Sequence, residues 1–467
     1  MADTPSFDRS IIEGPIPSAV WRIAWPTLLQ NLVAGLQGIV DHVMVGHYVG
    51  FQGNAAIGVS WQIFLVVVVF ISSLFSGMGV LVARFAGAGD SGKVNRVVFQ
   101  VILVSTFLGL FVFAPLGYFA APALLDVVHA EPGVQAEALP YLRIMFVFSL
   151  GMMHFFMLGG ALRAAGDART PMRLGILLTV LNLVLNVVLI RGLGPIPAFG
   201  TAGAAMGTVI ATALVSLVAF YLLFSGRLVI RLSGSDGWRP DWAIISRVFR
   251  FGLPTGFQGI VMNIGGVLMI RYVGTLQQSA EAQAAFAVGY SQLFSLIVWT
   301  SNSLMAASAT VAGQNLGAEQ PERSAAAPRS ATAVGLFLAV PMALTFLLVP
   351  KAVFGIFGIE DATVLALGEE LLAYLSLSAI FVTAALSYTG ALQGTGDTRS
   401  PFYISLFSQL VLPLSICAVL DMTRGLHPAD IWIAIVLGHF SRCVLSVLRF
   451  QQGKWKDIRV EIGEAVG

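Results

Sequence analysis

The chain has 467 residues, of which 57% are hydrophobic and only 11% charged, with a formal net charge of +2; its mean hydropathy is +0.84. A soluble domain carries about 25% charged residues, so a soluble globular protein of this size is excluded. The period-2 alternation of a membrane β-barrel is absent as well. No basic patch outside the expected loops points to nucleic acid. The two cysteines, Cys417 and Cys443, are too few for a disulfide framework or a metal cluster. What remains is an all-α polytopic membrane protein.

Residues 1–18 are polar and acidic, without the apolar core or small-residue cleavage site of a signal peptide, and are expected to form a cytoplasmic tail. Apolar runs such as Ile63–Ile71, Val97–Pro115 and Leu174–Ile190 are at or near the roughly 20 residues that span a bilayer as helix. Breaks of glycine, proline and charge divide the N-terminal bundle, 19–224, into helices at 19–46, 56–83, 94–121, 139–164, 172–191 and 200–224. A cytoplasmic linker follows over 225–246. The C-terminal bundle, 247–451, holds helices at 247–274, 284–313, 328–350, 364–392, 400–422 and 430–451. Residues 452–467 form a second cytoplasmic tail.

With both termini placed in the cytoplasm, all of the 26 Lys and Arg except Arg143, Arg191, Arg271, Lys351 and Arg424 fall on the cytoplasmic side. That is the positive-inside pattern, and it favours both termini in the cytoplasm; the expected location is the inner (cytoplasmic) membrane, crossed many times.

One stretch of the chain occurs twice. Gly160-Ala161-Leu162-Arg163-Ala164-Ala165-Gly166-Asp167-Ala168-Arg169-Thr170-Pro171 returns, almost half the chain later, as Gly390-Ala391-Leu392-Gln393-Gly394-Thr395-Gly396-Asp397-Thr398-Arg399-Ser400-Pro401, with seven identities. Both copies fall on a cytoplasmic turn, between helices 4 and 5 and between helices 10 and 11. Gly166 and Gly396 stop a helix, and Thr170 and Ser400 are expected as N-caps before a proline at the first helical position. Pro26-Thr27 with Gln30 likewise matches Pro254-Thr255 with Gln258, at nearly the same separation. Six helices per half put both halves in the same orientation. The expectation is twelve transmembrane helices in two parallel six-helix repeats around a central cavity, an architecture of secondary transporters.

Pro26 in the first helix, Asp41-His42-Val43-Met44-Val45-Gly46-His47 at its end and the Gly-Asp-x-Arg-[Ser/Thr]-Pro turn in both halves resemble the multidrug and toxic compound extrusion (MATE) family. Asn182-Leu183-Val184-Leu185-Asn186 followed by Gly200-Thr201-Ala202-Gly203-Ala204-Ala205 extends the match over nearly the whole chain. The sequence is more similar to the prokaryotic DinF-like branch. The resemblance implies a secondary active efflux transporter, not an enzyme and without a cofactor. It would export small lipophilic, often cationic drugs and metabolites by alternating access, in exchange for protons or sodium, and act as a monomer in the lipid bilayer. Members of the NorM-like branch carry carboxylates in helices 7 and 10. This chain has none in the interior of either, with Glu369 and Glu370 near the outer start of helix 10.

Of the 24 Asp and Glu residues, Asp41 alone lies away from loops, tails and helix ends that a loop accounts for. It is five residues before Gly46, roughly 8 Å below the helix end at 1.5 Å per residue. An intramembrane carboxylate is costly and usually marks an ion pathway. Gln37 shares its face; Asn182 and Asn186 form an i, i+4 pair, with Asn186 at similar depth; Thr208 is within reach of that level. The family resemblance places Asp41, Asn182 and Thr208 in one polar cluster, with Asn186 where relatives hold a second Asp. Because burial penalises the charged form of a carboxyl group, Asp41 is expected to load a proton outside and release it inside. The plainer alternative is a cap within the hairpin of helices 1 and 2. Pro26 is the expected hinge, because proline removes a helical hydrogen bond; its mate Pro254 makes plain architecture the rival reading. Gln30, Met153, His154, Met157, Tyr290 and Gln292 are expected to line a substrate cavity, methionine and aromatic side chains being adaptable to varied shapes.

Gly87-Ala88-Gly89-Asp90-Ser91-Gly92-Lys93-Val94 approaches a phosphate-binding loop, yet it lacks Ser or Thr after the lysine and a preceding strand, so ATP is not the expected drive. A flippase for lipid-linked oligosaccharides in the same superfamily is the nearest alternative, disfavoured by twelve rather than fourteen helices and by the carboxylate at Asp41.

Overall fold

The computed structural model describes residues 7–232 and 239–460, the side chain of Val66 excepted. Positions 1–6, 233–238 and 461–467, which belong to the expected tails and linker, lie outside the described residues. Among the described residues, eleven helices are long and apolar enough to cross a membrane, and one bent pair supplies a twelfth. In chain order they are α1 (Ile16–Tyr48), α2 (Phe51–Gly87), α3 (Ser91–Val127), the bent α4 (Pro132–Val147 and Ser149–Ala164), α5 (Arg169–Arg191) and α6 (Gly200–Phe224). The second half holds α7 (Trp242–Val273), α8 (Ser279–Gly317), α9 (Pro321–Leu348), α10 (Ala362–Thr395), α11 (Arg399–Arg424) and α12 (Pro428–Gln451). Large apolar side chains on their outer faces, such as Phe119, Tyr221 and Phe337, are exposed, as a lipid solvent allows.

Two compact units result. Unit 1 takes Leu29–Leu253; unit 2 takes Arg9–Leu28 and Pro254–Val460. The divisions fall inside α1 and α7, two residues after Pro26 and immediately before Pro254. In unit 1 the helix contacts are close. A Cβ added to Gly77 of α2 would lie 1.9 Å from the Val248 carbonyl oxygen, and one on Gly252 of α7 would lie 2.0 Å from that of Ser73. The linker also packs here: Leu228, Ile230 and Leu232 are buried. Gln100 of α3 donates to the Arg239 carbonyl at 3.0 Å and accepts from the Asp241 N–H at 2.9 Å, and Arg96 pairs with Asp241.

In unit 2, α10 lies backbone-to-backbone on α8, since a Cβ on Gly390 or Gly394 would stand 2.1 Å from the carbonyl oxygens of Met305 and Ala309 respectively. A short helix, Ser10–Glu13, is fixed to this unit through Arg323, which donates to the Gly14 carbonyl at 2.6 Å, and through buried Ile11. At the other end Trp455 is buried, stacked 4.8 Å from Phe450.

The repeated turn has one structure in both halves. Gly166 and Gly396 take left-handed φ values of 101° and 104°, a conformation glycine reaches without penalty. The expected capping residues are corrected. The helices begin at Arg169 and Arg399, so the N-cap positions are Ala168 and Thr398, and the capping carboxylates come from the preceding Asp167 and Asp397, which accept from Thr170 N at 2.9 Å and Ser400 N at 3.2 Å. An ionised oxygen is the better acceptor for helix-terminal N–H groups. Thr170 and Ser400 instead donate their hydroxyls to the same carboxylates.

Two further features depart from the sequence expectation. The single helix expected at 139–164 is bent by 52° at Phe148, and beyond the bend the Gly151 carbonyl accepts from Ser216 Oγ at 2.7 Å. Among the described residues, three helices also contain π-helical stretches, at Leu108–Phe113, Ala287–Phe294 and Leu406–Val411.

Candidate functional site

Asp41 stands on α1 inside unit 1, half-buried, facing α5 and α6. Asn186 and Asn182 follow each other by one turn of α5, both with no exposed surface. Asn186 Nδ2 donates to Asp41 Oδ1 at 2.6 Å, and this side chain has room because Gly207 of α6 lies opposite: a Cβ there would stand 2.1 Å from Asn186 Oδ1. Asn182 lies between Asp41 and Thr208, and its amide can be assigned in either of two orientations. With its oxygen toward Asp41 Oδ1, 3.2 Å away, it accepts from Asn186 Nδ2 at 3.1 Å and its nitrogen donates to Thr208 Oγ1 at 3.1 Å. The Thr208 hydroxyl then donates to the Ala204 carbonyl at 3.1 Å. Turned over, its nitrogen faces Asp41 Oδ1 at 3.2 Å and its oxygen accepts from the backbone N–H of Thr208 at 3.2 Å. An oxygen facing Asp41 suits a protonated carboxyl; a nitrogen suits an ionised one.

Gln37, one turn before Asp41, accepts from Thr179 Oγ1 at 3.0 Å. Five residues singled out in the sequence therefore gather at one level. The sequence reading missed two others. Thr179 lies three residues before Asn182, so helical spacing could have found it. Gly207 adjoins Thr208.

The other candidates stand elsewhere. Pro26 is buried within continuous α1 and belongs to unit 2. Gln30, Met153, His154 and Met157 belong to unit 1, and Tyr290 and Gln292 to unit 2. Gln30 Oε1 accepts from Arg163 Nη2 at 3.2 Å. Met153 and Met157 are 0% and 1% exposed. His154 Nε2 is 3.0 Å from Thr106 Oγ1, with its ring edge-on to Phe220. Gln292 is exposed, while Tyr290 lines a cavity in unit 2.

The MatE family model matches the chain twice, over residues 26–188 and 254–419. The chain is 26% identical over 448 residues to the "Probable multidrug resistance protein NorM" of Thermotoga maritima, covering 95% of this chain and 94% of that one. It is 25% identical over 442 residues to the multidrug resistance protein MdtK of Edwardsiella ictaluri, covering 92% and 94%. Among solved structures, a MOP superfamily transporter from Pyrococcus furiosus is similar with a TM-score of 0.87 at 22% identity, covering 96% of this chain and 98% of that one. An outward-facing MATE family transporter is similar with a TM-score of 0.88 at 22% identity and the same coverage. With two family matches, one in each half of a twelve-helix membrane fold, the chain belongs to the MATE family of transporters.

Proposed function

We propose that this protein is a multidrug efflux transporter of the inner membrane, with both termini in the cytoplasm. It exports lipophilic, often cationic compounds by alternating access coupled to proton uptake at Asp41. Within the family we assign it to the DinF-like branch, and we take the monomer as the working unit. The observation that carries this reading is the Asp41–Asn186–Asn182–Thr208 network. It joins three helices of one bundle through a single ionisable group.

The chemistry of the network favours a proton over sodium. A sodium ion prefers several oxygens around it, as hard cations do, whereas Asn186 points an N–H donor at the carboxylate. The two orientations of Asn182 give protonation a structural consequence. When Asp41 is ionised, both amide nitrogens turn toward it, and Asn182 accepts from the Thr208 backbone. When Asp41 takes a proton, its O–H needs an acceptor. Asn182 then offers its oxygen, and its nitrogen moves to Thr208 Oγ1. One proton therefore resets the hydrogen bonds between α1, α5 and α6. Pro26 serves as the hinge, supported by the change of unit two residues later in α1. The driving force is sufficient, since one charge moved through 100 mV is worth about 2.3 kcal/mol.

Ethidium efflux from vesicles with an imposed pH or sodium gradient tests the proposal. Wild type should respond to the pH gradient and not to sodium. Asp41→Asn, expressed at a normal level, should lose the response, because an amide cannot titrate. Undiminished pH-driven efflux by Asp41→Asn would refute the coupling role.

A further inference from the structure

The efflux reading leaves a cavity in the C-terminal half unexplained. It lies wholly within unit 2, among α7, α8, α11 and α12, with about 70 Å³ open to the centre of a water-sized sphere. That is several times the roughly 10–15 Å³ that one water needs. Met262 and Met269 of α7, Phe286 and Tyr290 of α8, Gln409 of α11 and His439 of α12 form its walls. Tyr290 and Gln409 both sit in π-helical stretches, a rare backbone form frequent at functional sites. Gly438 lines the cavity and lets α12 approach α11 closely, since a Cβ there would lie 2.7 Å from the Ser408 carbonyl oxygen.

The polar groups of α12 point to a ligand. Trp432 Nε1, His439 Nδ1, Arg442 Nε and Ser446 Oγ are buried and have no hydrogen-bond partner among the described residues. Their spacing of seven, three and four residues places them along one helix face. His439 is 5% exposed and lines the cavity itself; Arg442, 3% exposed, follows one turn later. Buried polar groups are nearly always satisfied. Among the described ion pairs, none compensates the Arg442 guanidinium, so this end of the cavity is positive.

The apolar wall has a shape preference. Phe286 stacks on Tyr290 at 4.9 Å and on Trp432 at 6.1 Å, each with an interplanar angle of 13°. Phe294 in turn stacks on His439 at 5.5 Å. Nearly parallel rings favour another planar ring over a branched aliphatic group.

We propose that this cavity is a binding site for a planar aromatic anion, with its ring against Phe286 and Tyr290 and its acid group toward His439 and Arg442. The site would differ from the Asp41 network in charge, in half of the chain and in the helices used. It does not rest on the efflux reading, because the test reads binding and needs no transport.

The test is saturation-transfer NMR on the purified full-length chain in detergent micelles, with benzoate, benzylammonium and benzyl alcohol as probes and protein-free micelles as the blank. Benzoate should bind wild type at least fivefold more tightly than either of the others. Arg442→Gln and His439→Phe should each weaken benzoate by fivefold or more. Met269→Phe, which narrows the cavity from the α7 wall and leaves α12 untouched, should do the same with an unchanged elution profile. Equal binding of the three probes to wild type would overturn the proposal, as would benzoate binding that none of the folded variants weakens.

Discussion

Alanine at Gly77 is the sharpest test of how α2 and α7 meet within unit 1. A Cβ there would lie 1.9 Å from the Val248 carbonyl oxygen, and contacts under 3.0 Å require something to shift, so the two backbones must part by about 1.1 Å. The obstacle is main chain, and the reciprocal contact at Gly252 is main chain too. No rotamer change can relieve either. Overpacking of this kind costs about 1–3 kcal/mol, and a rigid backbone obstacle puts it in the upper part of that range. Replacing glycine by alanine inside a helix returns about 0.5–1 kcal/mol. The net loss is therefore about 1–2 kcal/mol. Gly79, two residues along the same helix, has nothing within 4 Å of its added Cβ, so Gly79→Ala should only gain the propensity term. Denaturant titration in mixed micelles, followed by tryptophan fluorescence, should separate the two variants by about 2–3 kcal/mol. If Gly77→Ala is as stable as Gly79→Ala, the helices do not cross as closely as the structure has them.

Two further outcomes use the helix caps. Asp90 caps α3 by accepting from Lys93 N at 2.9 Å and pairs with Lys93 Nζ at 3.0 Å. Partial burial pushes its carboxyl up, but the Lys93 hydrogen bonds and charge outweigh this and hold it below 3.8. A depressed carboxyl contributes stability above its unfolded value and loses it as pH falls through its folded value. Asp90→Ala should therefore cost about 0.5–1 kcal/mol at pH 7, with the gap to wild type closing below about pH 4 in the same titration. The repeated turn supplies an internal comparison. Asp167 and Asp397 make the same cap, but Asp397 also pairs with Arg449 at 2.8 Å, the aspartate side chain being 7% exposed and the arginine 27%. Asp397→Ala should cost about 2–3 kcal/mol, discounted from the 3–5 of a fully buried pair for the exposure of Arg449, against about 1 for Asp167→Ala. Equal losses would show that the ion pair adds nothing.

The helices were legible because lipid imposes long apolar segments, and the repeat was legible because two copies of a turn need the same glycine and aspartate. Asp41, Asn182, Asn186 and Thr208 were legible as polar residues at similar depth in apolar helices. The bend at Phe148, the π-helical stretches and the capping role of Asp167 depend on hydrogen bonds between helices, such as Ser216 Oγ to the Gly151 carbonyl, which spacing along one helix does not encode. The linker was misleading for a related reason. Leu228, Ile230 and Leu232 stand among Arg227, Val229 and Arg231, yet they are buried, and Asn95 of α3 holds this backbone by accepting from the Arg231 N–H at 3.0 Å. The division of α1 and α7 near Pro26 and Pro254 was equally hidden, since proline marks a weak point in a helix without saying what packs on either side.

The duplicated scaffold gives a way to separate architecture from chemistry. In the register that pairs Pro26 with Pro254, Gln37 and Asp41 of α1 correspond to Gly265 and Met269 of α7. In the register that pairs Gly166 with Gly396, Thr179 of α5 corresponds to Gln409 of α11. All three counterparts line the cavity of unit 2. The Asp41 network of the first half and the cavity of the second therefore stand at the same place in the repeat and are built differently. In the first half, α1 projects a carboxylate, and amides of α5 close the space around it. In the second, α7 withdraws to glycine and methionine, and the polar groups move to α12 and the π-helical stretch of α8. A residue shared by both halves, such as Gly166 with Gly396, is accounted for by the turn both must make. A residue that breaks the correspondence has no such account, and Asp41 in one half and His439 with Arg442 in the other are where ligand chemistry is to be sought.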